Sequence, residues 1–115
     1  MPPDVLKMLF DMRSAAAGIS QFVAGRTLAD FKSDLMLKLA VEREFEIIGE
    51  AMGRLVKTDP QTAAKISEYR RIIGFRNVLI HGYDTVNDEV TWRIIEVKLP
   101  ILLRELDGLI ASGRP

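Results

Sequence analysis

The sequence has no cysteine and only one histidine, His81, among its 115 residues. Without cysteine the chain can form no disulfide and offers no thiolate as a metal ligand or nucleophile. A lone histidine would leave every other zinc ligand to carboxylates or to a second chain. No glycine-rich phosphate-binding loop is present either. We therefore expect no metal and no other cofactor, and the lack of cysteine fits a reducing cytoplasm.

The chain also lacks an excess of charge of either sign, and it lacks a long apolar run. Its 16 basic and 16 acidic residues cancel, whereas proteins that bind nucleic acid through bulk charge are usually strongly basic. Any recognition of phosphate must then be local, through a few arginines. No apolar stretch approaches the roughly 18 residues of a membrane span. The N-terminus does not resemble a signal peptide, so we expect a cytoplasmic protein without a membrane segment.

Apolar residues recur at steps of three and four, which is the spacing of helices that bury one face. Four segments show this pattern, and they are residues 5–23, 37–55, 72–79 and 92–109. No segment alternates in the manner of a strand. Length and pattern together predict a single domain over residues 1–115, of the all-α class. We expect an antiparallel, up-down bundle of four to five helices.

Local signals predict where these helices begin, end and bend. Gly25 is expected to end the first helix, and Ser33 or Asp30 to cap the second with a side-chain oxygen. A short helix is expected to begin at Pro60. Pro100 lies inside the last apolar row, so a kink is predicted near residues 96–100.

Two glycines, Gly49 and Gly53, stand four residues apart on one face of the second predicted helix. A glycine inside a helix costs about 1 kcal/mol relative to alanine. We expect the close approach of another helix, or of a partner subunit, to offset this cost. Glu50 lies beside them and is either a solvated carboxylate or a supporting residue that pairs with Arg76, because an arginine fork matches a carboxylate.

The segment FRNVLIHGYD, residues 75–84, brings the lone histidine close in sequence to Arg76 and Tyr83. A histidine exchanges protons near neutral pH, and an arginine binds phosphate through planar donors. The pair would suit cleavage of an RNA phosphodiester by its own 2′-hydroxyl, a reaction that DNA cannot undergo. The plain alternative is a surface arginine, a buried core histidine and a packing tyrosine.

The spacing of this pair also hints at a dimer. Arg76 and His81 are separated by about 140° around a regular helix, so that one chain would not bring both to the same substrate atom. Two copies related by a two-fold axis could supply one residue each.

The residues RNVLIH, followed by Gly82 and Tyr83, fit the R-x4-H-x-Y signature of HEPN domains, and the chain resembles the HepT toxin family. The resemblance includes AVEREFEIIGEAMGRL and extends over roughly residues 31–106. It implies an all-α, HEPN-like bundle that forms a homodimer with its motifs facing one another. It also implies a metal-independent endoribonuclease in which Arg76 and His81 are catalytic and Asn77 is a supporting hydrogen-bonding residue.

The same resemblance implies a partner. In HepT-like toxins an MNT-type nucleotidyltransferase antitoxin transfers AMP to the motif tyrosine, which is Tyr83 here. The added charge and bulk would oppose an RNA phosphate. The chain departs from the family pattern at Gly82, where the residue is often larger or charged. It also departs before Arg70, where ISEY replaces a frequent Ile-Pro-Trp.

Three interpretations remain open from the sequence. The first is an RNase toxin, and the second is a non-catalytic partner that positions a nucleotide or substrate for the nucleotidyltransferase. Zero net charge and the small Gly82 favour the second interpretation. The third is a helical dimer without chemistry. Arg70 and Arg71 either bind phosphate beside the cleft or belong to a solvated face.

Overall fold

Helices alone build the protein over residues 1–114, which the computed structural model describes except for the side chain of Tyr83. No strand occurs among these residues, so the predicted all-α class is confirmed. No helix in this part of the chain is long and apolar enough to cross a bilayer. The elements are α1 (Pro3–Val23), α2 (Leu28–Ser33), α3 (Leu35–Thr58), α4 (Pro60–Ala63), α5 (Tyr69–His81), a 3₁₀ turn (Tyr83–Thr85), α6 (Asp88–Arg93), a π-helical segment (Ile94–Lys98) and α7 (Leu99–Gly113).

The central helix of the bundle is α3, which packs against α1 on one side and α5 on the other. Helix α5 runs antiparallel to α3. Phe45 meets Phe75 edge to face with ring centroids 5.2 Å apart, and Gly49, one turn further along α3, lies against Ile72, one turn back along α5. Helix α7 packs antiparallel to α1, with Arg13 bonded to Asp107 at 2.6 Å. The predicted bundle of long helices is thus observed.

The start of α3 differs from the sequence prediction. Its N-cap is Asp34, whose carboxylate accepts a hydrogen bond from the backbone N–H of Leu37 at 3.1 Å. The prediction that Ser33 or Asp30 caps this helix is wrong, because both belong to α2. There Asp30 completes a reciprocal capping box with Thr27. With six residues, α2 is too short to show a periodic apolar row.

The predicted end of the first helix is confirmed, and the last helix is distorted into a π segment where a kink was predicted. The chain turns after α1 at Gly25, whose φ of +73° is a left-handed conformation that favours glycine. Near Pro100 the helix widens into the π segment, in which the N–H of Leu99 donates to the carbonyl of Ile94. Proline lacks an N–H and its ring clashes with a carbonyl one turn back, and the wider turn relieves both problems.

Candidate functional site

Most of the residues singled out in the sequence lie along α5, and the start of this helix is held by Glu68. This residue occupies the N-cap position with a left-handed backbone conformation, φ of 56°, and its side chain makes no capping hydrogen bond to the helix. Its carboxylate accepts from Arg71 at 3.0 Å and from Lys98 at 2.9 Å. The hydrogen bond from Lys98, with the charges of Lys98 and Arg71, holds the pKa of Glu68 below its usual value. Glu68 therefore ties the first turn of α5 to the π segment.

Arg76 lies half-buried on the side of α5 that faces α3. A methyl group placed on Gly49 would lie 2.2 Å from the Arg76 Cβ and 2.7 Å from its Cγ. The absence of a side chain at Gly49 is what allows the two helices to come this close, as the sequence predicted. The same prediction does not hold within this chain for Gly53, where an added methyl would meet nothing within 4 Å.

The guanidinium of Arg76 is only weakly held by hydrogen bonds. Its Nη1 donates to Oδ1 of the neighbouring Asn77 over a long 3.4 Å. Its Nε is buried and has no hydrogen-bond partner among the described residues. A buried donor left unpaired costs about 1–3 kcal/mol. Packing against Gly49, rather than a protein acceptor, therefore determines where this side chain lies.

Glu50 does not pair with Arg76, so that the expected ion pair is absent and the sequence prediction is corrected. The Glu50 carboxylate instead accepts from Arg54 at 3.0 Å. It lines a shallow hollow with Met8 and Asp11 of α1. Because Gly49 occupies the position that faces α5, the next residue is turned about 100° away from that helix. Glu50 is exposed, which agrees with the other interpretation of this residue as a solvated carboxylate.

His81 ends α5 and is exposed. The alternative in which His81 is a buried core residue is therefore wrong. Asn77, one turn earlier on the same line, is exposed as well. Within one chain Arg76 faces α3 whereas His81 faces outward, as their angular separation predicted. The side chain of Tyr83, the predicted site of AMP transfer, lies outside the described residues.

Arg70 and Arg71 lie at the other end of α5 from His81, about 15 Å away along the helix axis by the helical rise. Arg71 is bonded to Glu68, and its side chain is 83% exposed. The guanidinium of Arg70 lies over the ring of Tyr69, 5.4 Å from its centre. Neither arginine is brought next to the histidine. They could meet a phosphate only on a ligand that runs along α5.

A groove of about 440 Å³, which the sequence analysis missed, runs between α5 and the segment from α6 to α7. Its apolar lining includes Phe45, Ile72, Phe75, Ile94 and Ile101, and Glu68, Arg71 and Lys98 lie among its polar residues. The sequence contained one sign of this groove: Ile94 and Ile101 are apolar, but they fall outside the row of apolar residues that predicted the core face of the last helix. No three acidic or histidine side chains among the described residues converge as a metal site.

Comparison with known proteins gives consistent matches over most of the chain. A family model described as "Ribonuclease HepT-like" matches residues 12–109. A candidate RNase of Methanocaldococcus jannaschii is 29% identical over 104 residues, which cover 90% of this chain and 94% of that protein. A candidate RNase of Caldanaerobacter subterraneus is 34% identical over 92 residues, covering 80% and 81%. A Thermococcus cleftensis protein named a probable ribonuclease HepT is 30% identical over 101 residues, covering 88% and 91%. No solved structure matches significantly.

Proposed function

The chain belongs to the HepT-like ribonuclease family, and we propose that it is an endoribonuclease toxin that cleaves RNA without a metal. Arg76 and His81 are its catalytic pair. The observation that carries this proposal is their placement on one helix, with the arginine packed against α3 and the histidine exposed at the helix end. Both residues lie within the part of the chain that the family model matches.

In this proposal the nucleophile is the 2′-hydroxyl of the RNA itself. The 2′-oxygen attacks the adjacent phosphorus, the bond to the 5′-oxygen breaks, and the products end in a 2′,3′-cyclic phosphate and a 5′-hydroxyl. Imidazole suits the proton transfers, because it gives and takes protons near neutral pH. The guanidinium of Arg76 stabilises the negative charge that builds up on the phosphoryl oxygens. Asn77, bonded to Arg76, supports it.

The proposed site is completed by a second protomer, because one chain directs Arg76 and His81 to different sides of α5. Two copies that pack with their α5 helices side by side would supply His81 of one protomer and Arg76 of the other to one cleft. Gly74 supports this arrangement, since it lies two turns before His81 on the same face and an added methyl there would meet nothing within 4 Å. The open surface at Gly74 leaves room for a second helix to approach closely.

The proposal includes a control step by an MNT-type nucleotidyltransferase partner, which would transfer AMP to Tyr83. Tyr83 follows His81 by two residues, so that a nucleotide attached there would be close to the proposed catalytic histidine. Its phosphate would repel the RNA backbone and its bulk would fill the cleft. Family membership supports this step.

The proposal is tested by incubating the purified protein with cellular RNA in the presence of EDTA. We expect fragments that end in 2′,3′-cyclic phosphate, and we expect His81→Ala and Arg76→Ala to abolish them. Arg104→Ala is the matched control, because this arginine is exposed on α7 and should leave cleavage unchanged. Cleavage that persists in His81→Ala, or that requires added magnesium, would contradict the mechanism.

A second candidate function is a binding subunit that presents a nucleotide or substrate to the nucleotidyltransferase without cleaving RNA. The pairing of Arg71 with Glu68, together with the zero net charge, favours it because both reduce the grip on phosphate. In that case ATP and the partner enzyme would add the mass of AMP at Tyr83, while RNA would stay intact with the unmodified protein. Failure to find the adduct by mass spectrometry, with an active partner present, would count against it.

A further inference from the structure

We infer that Gly49 is a positioning residue that fixes the direction of the Arg76 guanidinium, and that it thereby sets the rate of the reaction. The inference rests on the proposed function. A methyl group on Gly49 would lie 2.2 Å from the Cβ of Arg76, 2.7 Å from its Cγ and 3.3 Å from the carbonyl oxygen of Ile72. The root of the arginine side chain thus occupies the space that any other residue at position 49 would fill.

This contact differs from those at other glycines inside the described helices. An added methyl at Gly53, Gly74 or Gly108 would meet nothing within 4 Å, and at Gly18 it would only touch the end of the flexible Glu44 side chain at 3.4 Å. At Gly113, the last residue of α7, it would meet the sulfur of the flexible Met1 side chain at 2.8 Å, which can rotate away. At Gly49 the obstacle is a Cβ, whose position is set by the backbone of α5. Rotation of the arginine side chain cannot move that atom, so the helix itself must shift. Ordinary carbon contacts are about 3.5–4.0 Å, which makes the shift about 1 Å or more.

Hydrogen bonds would not restore the guanidinium after such a shift. The bond from Nη1 to Asn77 is 3.4 Å long, and Nε is buried without a partner in the part of the chain that the structure describes. A buried arginine donor with no acceptor has no directional contact to hold it in place. The close packing on Gly49 is therefore what holds the charged group where it can face a phosphate.

A misplacement of this size matters for catalysis. Electrostatic stabilisation requires donors that already point to where charge develops, and an error of about 1 Å can reduce a rate by about 10²-fold. Gly49→Ala should therefore lower kcat by about 10²-fold and change KM little, since the other RNA contacts remain. Gly53→Ala introduces the same methyl one turn away into open space. It should keep kcat and KM within about twofold of wild type, because the new methyl touches neither Arg76 nor the backbone of α5.

The experiment measures kcat and KM for RNA cleavage together with the NMR signal of the Arg76 Nε–Hε group. In wild type and Gly53→Ala we expect slow exchange of this proton with solvent, because Nε is buried. In Gly49→Ala we expect a shifted signal, faster exchange and the loss of kcat. Circular dichroism confirms that each variant is folded.

The outcomes separate this inference from the proposed function. Gly49→Ala with wild-type kcat and an unchanged Nε–Hε signal would overturn the inference, although the protein would remain a ribonuclease. If the wild type cleaves no RNA, the proposed function and the effect on rate both fail, and the NMR signal still decides whether Gly49 positions Arg76. Should Gly49→Ala not fold, Asn77→Ala provides the test, since Asn77 is exposed. Slow Nε–Hε exchange retained in Asn77→Ala supports the packing argument, and its loss refutes it.

Discussion

The same methyl group added at two positions one turn apart should change the stability of this protein in opposite directions. Replacing a helical glycine with alanine stabilises the helix by about 1 kcal/mol. At Gly53 nothing within 4 Å opposes the new methyl, so Gly53→Ala should be about 1 kcal/mol more stable than wild type. At Gly49 the methyl collides with Arg76 at 2.2 Å, and overpacking of this kind costs about 1–3 kcal/mol. Because the collision involves a Cβ, the cost lies towards the upper end of that range.

We therefore expect Gly49→Ala to be less stable than wild type, and about 2–3 kcal/mol less stable than Gly53→Ala. Urea unfolding followed by circular dichroism measures both differences, and an unchanged m-value would show that the unfolded states are comparable. For a domain of this size each 1 kcal/mol corresponds to a shift in Tm of about 4 °C. A destabilised Gly53→Ala would refute the reasoning, because it would show that another surface, such as a partner subunit, covers Gly53 in solution.

Two further predictions concern the N-terminal half of the bundle. Asp34→Ala should lower the free energy of unfolding by about 1 kcal/mol, because it removes the cap of α3. Ser33→Ala, as the matched control, should change it by less than about 0.5 kcal/mol in the same urea titration. Burial, and then the charges of Asp88 and Glu46, raise the pKa of Glu42 above its usual 4.5. Ionised Glu42 therefore destabilises the fold at neutral pH. Glu42→Gln should raise Tm at pH 7, with a gain that shrinks as the pH falls through the raised pKa towards 4.5. An equal gain at pH 4 and pH 7 would contradict this account.

The long helices could be predicted from the sequence because each buries a continuous apolar row. Residues 5–23 and 37–55 correspond closely to α1 and α3, and residues in both rows, such as Leu9 and Met52, are fully buried. A distortion of the last helix could also be predicted, because a proline inside a helix removes one hydrogen bond and clashes one turn back. The residue that caps α3 could not be predicted, because Asp30, Ser33 and Asp34 all carry suitable side-chain oxygens. Only the backbone conformation selects among them.

The site was predictable in its residues and only partly in its contacts. The spacing of Arg76 and His81 indicated that they diverge on one helix, and the structure shows this. The partner of Glu50 could not be deduced, because it depends on how α3 is rotated between α1 and α5. That rotation is fixed by Gly49, which admits Arg76 and so turns Glu50 towards Asp11. A glycine in a sequence does not reveal which neighbour occupies its free space.

The π-helical turn before Pro100 allows the continuous helical segment from α6 to α7 to pack against two different helices. Upstream of it, Trp92 lies against Phe31 of α2 with ring centres 5.4 Å apart, and downstream α7 covers α1. An extra residue within one helical turn offsets the angular phase of everything that follows by about 100°. The parts of this segment before and after the π turn can therefore direct their apolar faces differently without a loop between them. Loss of a single residue from this turn would restore an ordinary α-turn and leave both apolar faces pointing as they do now.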